Sequence, residues 1–597
     1  MHARVSRWIE NSEGWIRARR RWVALVIVLA SLALRLGVFL ELDGGPCLVQ
    51  HRWAESDMHF FDRWSKDLAA GDWLNRKAPH PVLGWHRAIA ERFFREYPDD
   101  ALTRGVSQAP DPAAALWNEW YGPRVYHQEP LYPYAVALTY ALATPDPRVV
   151  FAWQMLLGVL TNLLVWRIAS RTLGELGGLS SAGLIVLCAP LLFYEVLLLR
   201  TALIAFEGAL LVWLALRCFE RRSLRSWCAL GAVFGLALLT NSTCALFAPL
   251  LALAFAWRER RALRPALGRL AACAGCALVV LSPVFARNAI VGAPLTATSS
   301  VGALAFICSN TGDYDPGAGF SADSRYLTRI LEESHNRLFD AIGPTLATHA
   351  SSAGYLRQLG QKLAWAWSWY EMPNNENLYA FQRFSRVLRW MPVGFGLIAP
   401  LALAGLLLGL RRFQTLAPLY AMALAGLVPL LCFYVLSRFR APSIALLIPF
   451  AVLALLELLR AWSARAWPRL ALIALVVLGL ALWTNQPLPG GMARIRMADW
   501  SVPFLTWYVP EAEKAADAGD WKRVVELLDE GFEHEPPFLA RIGSSAGQRA
   551  PLPEESEWVA FSVQSHEKMA DALEQLGDGP AALPHRARAG ELQAALK

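Results

Sequence analysis

Apolar residues along this chain gather into long continuous runs, not into the amphipathic or alternating patterns of a soluble protein. Many runs approach the roughly 20 residues that a helix needs to cross a hydrocarbon core of about 30 Å. They predict membrane helices at 22–41, 131–146, 148–166, 178–198, 201–217, 227–240, 243–257, 266–285, 392–410, 416–436, 443–460 and 469–484. The fold class expected is therefore α: a polytopic α-helical membrane protein of about 11–13 membrane helices. A membrane domain over 1–485 carries two long polar loops, 43–130 and 286–391, and a polar tail follows at 500–597.

Arginine assigns the sides. Arg17, Arg19, Arg20 and Arg21 precede the first run, and basic flanks of this kind stay in the cytoplasm. The clusters Arg217/Arg221/Arg222/Arg225, Arg258/Arg260/Arg261/Arg264, Arg411/Arg412 and Arg460/Arg465/Arg469 then share that side. Residues 43–130, 286–391, 437–442 and 485–597 fall on the opposite, extracytoplasmic side. Crossing at every run would put 286–391 on the wrong side, so one early segment must fail to cross. The choice is 131–146, which is short and opens on Pro and Tyr, and which is expected to be tilted or re-entrant. The first run, Trp22 to Leu40, is too long and lacks the small-residue site of a cleavable signal.

The polar segments have patterns of their own. From Asp57, the residues Phe60, Phe61, Trp64 and Leu68 form an apolar stripe at helical spacing, predicting an amphipathic helix over 57–70. The second loop has Gly/Asn turns at 309–319 and helical patterns near 323–342 and 354–369. In the tail, Gly519, Val524, Gly531 and Pro536 follow a 5, 7, 5 spacing, and Gly577, Ala582 and Ala589 repeat its first two intervals. Small residues so placed let paired helices approach, as in tetratricopeptide units; an ordinary helical hairpin is the simpler alternative. Two copies are fewer than a free array needs, so the tail is expected to pack on the membrane domain or on a protein partner.

Composition narrows the class. The 597 residues are 55% hydrophobic and 18% charged, with mean hydropathy +0.31 and 25 Trp, an indole content suited to two membrane interfaces. The net charge of +8 does not point to nucleic acid, because the arginines sit beside apolar runs. Most of the nine Cys lie inside apolar runs; Cys47 and Cys308 fall in outer loops and can pair, though no spacing marks a disulfide framework. Five of the eleven His (His51, His59, His80, His86 and His127) share the first loop, without a recognised metal-ligand spacing, so the metal ligands stay unknown.

Candidate chemistry lies at the outer ends of the runs. Glu55 and Asp57 open the first-loop helix, where helix capping is the plain explanation for acids. His127-Gln128-Glu129-Pro130-Leu131-Tyr132-Pro133-Tyr134 makes a rigid elbow into an apolar segment. Arg35, Glu195, Arg200 and Glu207 lie in or beside apolar runs, where charge is costly, and an Arg200–Glu207 pair is the structural alternative. Arg287 and the pair Arg438/Arg440 sit on the face where positive-inside bias disfavours them; either they snorkel to headgroups or their fixed fork of donors binds phosphate.

Taken in order, these motifs resemble the GT-C-fold glycosyltransferases, closest to the protein mannosyltransferase and aminoarabinose-transferase group, glycosyltransferase family 39. The corresponding residues are Asp57 with Phe60/Phe61, then Gly71-Asp72-Trp73, Pro130 to Tyr134, Arg287-Asn288 with Gly292-Ala293-Pro294, and Arg438-Phe439-Arg440-Ala441-Pro442; Arg35 matches a recurrent first-span arginine. The likeness covers roughly 20–485, and some branches carry a tetratricopeptide tail. It departs at Thr240-Asn241-Ser242-Thr243, where the family often has a basic residue, and at Ser56-Asp57, where an acidic pair is usual.

The resemblance implies inverting transfer of a sugar from a polyprenyl-phosphate carrier to an acceptor hydroxyl of a protein, glycan or lipid, at the extracytoplasmic face of the cell membrane. It assigns Asp57, with Glu55, to proton abstraction. Arg438, Arg440, Arg287 and Arg200 are assigned to the donor phosphate, and Tyr132, Gln128, Glu129 and Asn310 to the substrates. No cofactor is required, and a divalent Mg or Mn is compatible. Two rivals are a transporter or flippase for a lipid-linked sugar, which would usually show repeated halves, and a membrane scaffold with a protein-binding tail.

Overall fold

The computed structural model describes residues 11–596, apart from 77–78, 222, 261–262, 497, 544–547 and 552–554. Arg222 and Arg261 of the basic clusters lie outside the described residues. The described chain is helical, and its only bridges of β type are the isolated Cys188–Val393 and Ile542–Arg549 contacts. Helices are what an apolar environment demands, since each satisfies its backbone polar groups within itself.

A helix forms in each of the twelve predicted runs: Arg20–Leu42, Leu131–Leu142, Pro147–Leu173, Glu175–Val186, Thr201–Glu220, Leu224–Thr240, Phe247–Arg258, Leu263–Val291, Phe395–Gly409, Phe413–Cys432, Ser437–Ser463 and Trp467–Thr484. Among the described residues seven apolar stretches are long enough to cross a membrane; one of them, Phe395–Cys432, is divided by a 3-10 turn at Leu410–Arg412. The molecule is a polytopic α-helical membrane protein.

Three of the predicted spans come out as helices of only 12 residues, and two of these have a local cause. Leu131–Leu142 has 12 residues, and such a helix rises only about 18 Å. It is anchored to the first loop: Ser65 Oγ donates to the Pro133 carbonyl at 3.1 Å and Tyr140 Oη to Asp62 at 2.7 Å. The run at 178–198 is not one helix. It stops at Val186, because Cys188-Ala189-Pro190 turns away to exchange backbone bonds with Val393 and Pro190 has no N–H to continue the ladder. The chain between Leu187 and Arg200 thereby brings Tyr194 and Glu195 into the protein interior.

Glycine sets the closest helix pairs. A Cβ on Gly231 would stand 2.0 Å from the Cys273 carbonyl oxygen, and one on Gly235 would stand 2.9 Å from that of Ala277. Leu224–Thr240 and Leu263–Val291 thus meet backbone to backbone, the small-residue packing that replaces the hydrophobic drive in lipid. Deep in the bundle Arg35 and Glu195 form a buried pair, with Nε–Oε2 at 2.6 Å and Nη2–Oε1 at 2.8 Å. Gly158 leaves the space for it.

The polar segments touch one another. The Asp57 backbone N–H donates to Asn375 Oδ1, and Arg383 of the second loop pairs with Glu533 of the tail. The tail holds two hairpins, Val509–Asp517 with Trp521–Phe532, and Ser556–Gln575 with Gly579–Leu596, turned at Gly519 and Gly577 in left-handed backbone. Gly531 lies against Tyr508, and Ala582 and Ala589 are buried. All nine cysteines are free; Cys47 and Cys308 are buried in two separate apolar clusters, so the pairing allowed by their loop positions does not form.

Candidate active site

The first-loop helix Asp57–Ala69 begins where Ser56 accepts the His59 N–H at 3.0 Å. Phe60, Phe61, Trp64 and Leu68 are buried, which turns the opposite face of the first turn outward. There the Asp57 carboxylate pairs with Arg438 through Oδ2 and accepts Gln128 Nε2 at 3.3 Å through Oδ1. Burial works to raise its pKa. The Arg438 guanidinium, by charge and hydrogen bond, with lesser help from His127 and Arg200, outweighs burial and holds the carboxyl below the ordinary carboxylate value.

Arg438 stands in the first turn of Ser437–Ser463. A cation is disfavoured at a helix N-terminus, and acids offset this. Besides Asp57, the buried carboxyls of Glu376 and Asp499 both sense its charge. Glu376 is 1% exposed, and one oxygen takes the Tyr194 hydroxyl at 3.2 Å. Tyr194 in turn meets Ser437 Oγ at 2.7 Å, next to Arg438. Asp499, from the segment leading into the tail, accepts the Asn375 N–H; burial pushes it up to about 6 against that bond.

A second ion pair stands beside the first. Glu129 pairs with Arg200 and accepts Ser242 through its N–H at 2.9 Å and its hydroxyl at 2.5 Å. Arg200 also donates to the Thr240 carbonyl at 2.9 Å. Burial opposes ionisation of Glu129, but Arg200 and Ser242 prevail and keep its pKa below the usual value. The Arg200–Glu207 pairing is replaced: Glu207 takes the Thr240 hydroxyl at 2.9 Å. Glu129, Arg200 and Ser242 form the polar end of a cleft of about 200 Å³. Its walls are apolar, with Ile204 and Gly208 from Thr201–Glu220, Met422 and Pro429 from Phe413–Cys432, and Leu446 from Ser437–Ser463. Gln128 and Glu129, adjacent in sequence, connect Asp57 to this cleft.

Other residues nominated from sequence lie elsewhere. Glu55 is two residues from Asp57 but accepts the Gly84 N–H at 3.0 Å, at the start of Gly84–Glu96. Arg440 is 1% exposed; it pairs with Glu371 at 2.9 Å, donates to Ser368 and Tyr370 carbonyls at 2.7 and 2.9 Å, and lies on the Phe395 ring. Arg287 donates to the carbonyls of Leu74, Asn75 and Arg124 and stacks on Tyr126, while Tyr134 Oη donates to the Trp73 carbonyl at 2.7 Å. The Gly71-Asp72-Trp73, Tyr134 and Arg287 motifs therefore clamp one another and fix the first loop. Tyr132 supports Gln154, and Asn310 is held between Lys362 Nζ at 2.9 Å and the Cys432 carbonyl at 2.8 Å.

Among the described residues no group of three or more His, Cys, Asp or Glu gathers as a metal site. The loop histidines are spent locally: His59 on the His51 carbonyl, His80 on Asn118 and Val125, and His86 on Tyr121. Burial pushes His127 down to about 3, so it is neutral. The positive charge at this site is guanidinium.

Residues 127–286 match the family model described as dolichyl-phosphate-mannose-protein mannosyltransferase. That stretch runs from the Gln128/Glu129 elbow through Arg200 to Ser242, and it ends one residue before Arg287. No curated protein matches the chain. Among solved structures, the chain is similar to the Archaeoglobus fulgidus oligosaccharyltransferase in complex with Zn and sulfate, at 15% identity and TM-score 0.37 over 90% of this chain and 61% of that one. It is also similar to archaeal oligosaccharyltransferase AglB from Archaeoglobus fulgidus with an inhibitory peptide and a dolichol-phosphate, at 13% identity and TM-score 0.42 over 92% and 64%. The chain thus spans about three fifths of the length of the solved structures it matches. The family match over residues 127–286 agrees with the GT-C resemblance drawn from the motifs.

Proposed function

We propose that the protein transfers a sugar from a polyprenyl-phosphate donor to an acceptor hydroxyl, with inversion, at the extracytoplasmic face of the membrane. The observation that carries this reading is the Asp57–Arg438 pair, joined through Gln128 and Glu129 to a cleft with one polar end and apolar walls. A lipid phosphate has the same division: an anion at one end and a long hydrocarbon chain. The matched family's description, which names a dolichyl-phosphate sugar as donor, supports the same class.

In this reading the polyprenyl chain lies along Gly208, Met422 and Leu446, and its phosphate meets Arg438, with Arg200 behind. The arriving phosphate competes with Asp57 for Arg438, which frees the carboxylate as the anomeric carbon approaches. Asp57 then takes the acceptor hydroxyl proton as the new glycosidic bond forms, while the bond between the anomeric carbon and the phosphate oxygen breaks and its electron pair stays on that oxygen, facing the guanidinium. A single displacement with one base inverts the anomeric centre. Arg440 and Arg287 hold the loops that place Asp57. The tail, read as tetratricopeptide-like, presents its hairpins to a protein partner beside the site.

The test is turnover of a radiolabelled polyprenyl-phosphate sugar by purified protein in lipid nanodiscs. Wild type is expected to transfer label, and Asp57→Asn, folded and inserted, to lose at least about two orders of magnitude. Near-normal transfer by Asp57→Asn would remove the base assignment. Label crossing vesicles without transfer would favour a transporter.

A further inference from the structure

The buried acid Glu376 has no part in the chemistry above. Its burial is nearly complete and its Oε2 has no hydrogen-bond partner. It sits on the turn Pro373-Asn374-Asn375-Glu376-Asn377, which three parts of the chain grip. Asn375, in left-handed backbone, accepts the Asp57 N–H through its side chain and gives its own N–H to Asp499. Asn377 accepts the Tyr379 and Ala380 N–H groups at 3.0 and 3.2 Å and donates to the Ile495 carbonyl at 2.9 Å. The turn therefore cannot swing Glu376 away from Arg438. The groups facing Glu376 are Arg438 from Ser437–Ser463, Asp57 from the first loop, Asp499 from the tail segment, and Tyr194. One guanidinium thus faces three carboxyls.

Charge counting shows why the state of Glu376 matters. Above about pH 6, with Asp57 and Asp499 ionised and Glu376 neutral, the three acids and Arg438 carry one net negative charge, and a phosphate monoanion that displaces Asp57 takes over its pairing with Arg438. Were Glu376 also ionised, that negative charge would double in a site poorly screened by water, and the arriving phosphate would be repelled more strongly. We propose that Glu376 is a positioning residue for the transfer: in its neutral form it leaves Arg438 available to the donor phosphate, and its ionisation shuts the donor out. This rests on the reading of Asp57 and Arg438 given above. Burial, the largest influence on Glu376, together with Asp499 and Asp57, keeps it neutral well above the ordinary carboxylate range, against the opposing pull of Arg438 and Tyr194.

The effect belongs in donor binding and not in the chemical step. A polyprenyl-phosphate sugar is a phosphodiester whose charge is constant through neutral and alkaline pH, so the donor contributes no titration of its own. The experiment is donor KM and kcat against pH for wild type, Glu376→Gln and Tyr194→Phe. Wild-type donor KM should rise at alkaline pH, approaching about tenfold per pH unit beyond the Glu376 titration. Glu376→Gln should retain turnover and give a flat KM over that range. Tyr194→Phe removes a hydrogen bond that favours ionised Glu376 and should move the rise to higher pH. An unchanged alkaline rise in Glu376→Gln overturns the proposal, as does a rise carried by kcat alone. If Glu376→Gln does not fold, an unmoved limb in Tyr194→Phe overturns it. A wild type without turnover would instead overturn the parent reading.

Discussion

Replacing Arg438 by Met keeps most of the unbranched stem of the side chain and removes its charge. The Asp57 and Arg438 side chains are 24% and 14% exposed, so the pair is largely taken out of water. Truncating one partner of such a hydrogen-bonded pair costs about 2–5 kcal/mol. In the variant the burial that pushes Asp57 upward persists, while its chief opponent is gone and only the lesser help of His127 and Arg200 and the Gln128 hydrogen bond remain. The Asp57 carboxyl should then titrate above its ordinary value instead of below it. In wild type the base is ionised until pH falls through its depressed value; in the variant that loss begins at higher pH. The departing phosphate also loses its counter-charge, and one donor of this kind is worth about 3–4 kcal/mol in a transition state. Together these put the fall in kcat/KM at about a hundred- to a thousandfold. Steady-state transfer from a radiolabelled donor across pH 4–9 measures both effects. A variant within about threefold of wild type, or one whose acid limb has not moved, would refute the reasoning.

Two further outcomes follow from the packing. Gly208 lines the cleft, with Leu446 Cδ1 only 3.7 Å from where its Cβ would be, so Gly208→Leu should fill the space for a lipid chain and raise donor KM at least about tenfold, with little change in melting temperature; unchanged donor KM would move the lipid elsewhere. Arg35→Leu strands Glu195, whose partner bonds are 2.6 and 2.8 Å, and should lower stability by about 3–5 kcal/mol, read as thermal unfolding in detergent; an unshifted transition would show that the pair carries no stability.

Much of the architecture is legible in the sequence because lipid demands apolar helices, and each of the twelve apolar runs carries a helix, though four of these are short. The failures are local and physical. The break after Val186 depends on Val393, more than two hundred residues away, supplying backbone bonds that a helix would otherwise keep internal. Asp57 stood out because the Phe60/Phe61/Trp64/Leu68 stripe oriented its helix. Arg438 and Arg440 looked equivalent, yet residues two apart on a helix diverge by about 200°, so only one can face Asp57. That divergence could have been read once the helix was started at Ser437. Glu376 and Asp499 carried no such signal. They lie in short turns, and their proximity to Arg438 exists only in the folded chain.

The Asp57–Arg438 pair closes a gap of 381 residues along the chain. At about 5–20 residues per second, ribosomes need roughly 20–80 s to bridge it. Throughout that interval the Asp57 carboxylate has no Arg438 to pair with, and the candidate centre is unassembled. Asp499 delays completion by sixty residues more. Under the proposed function, activity is thereby a late event in biosynthesis, and a chain released early lacks its centre.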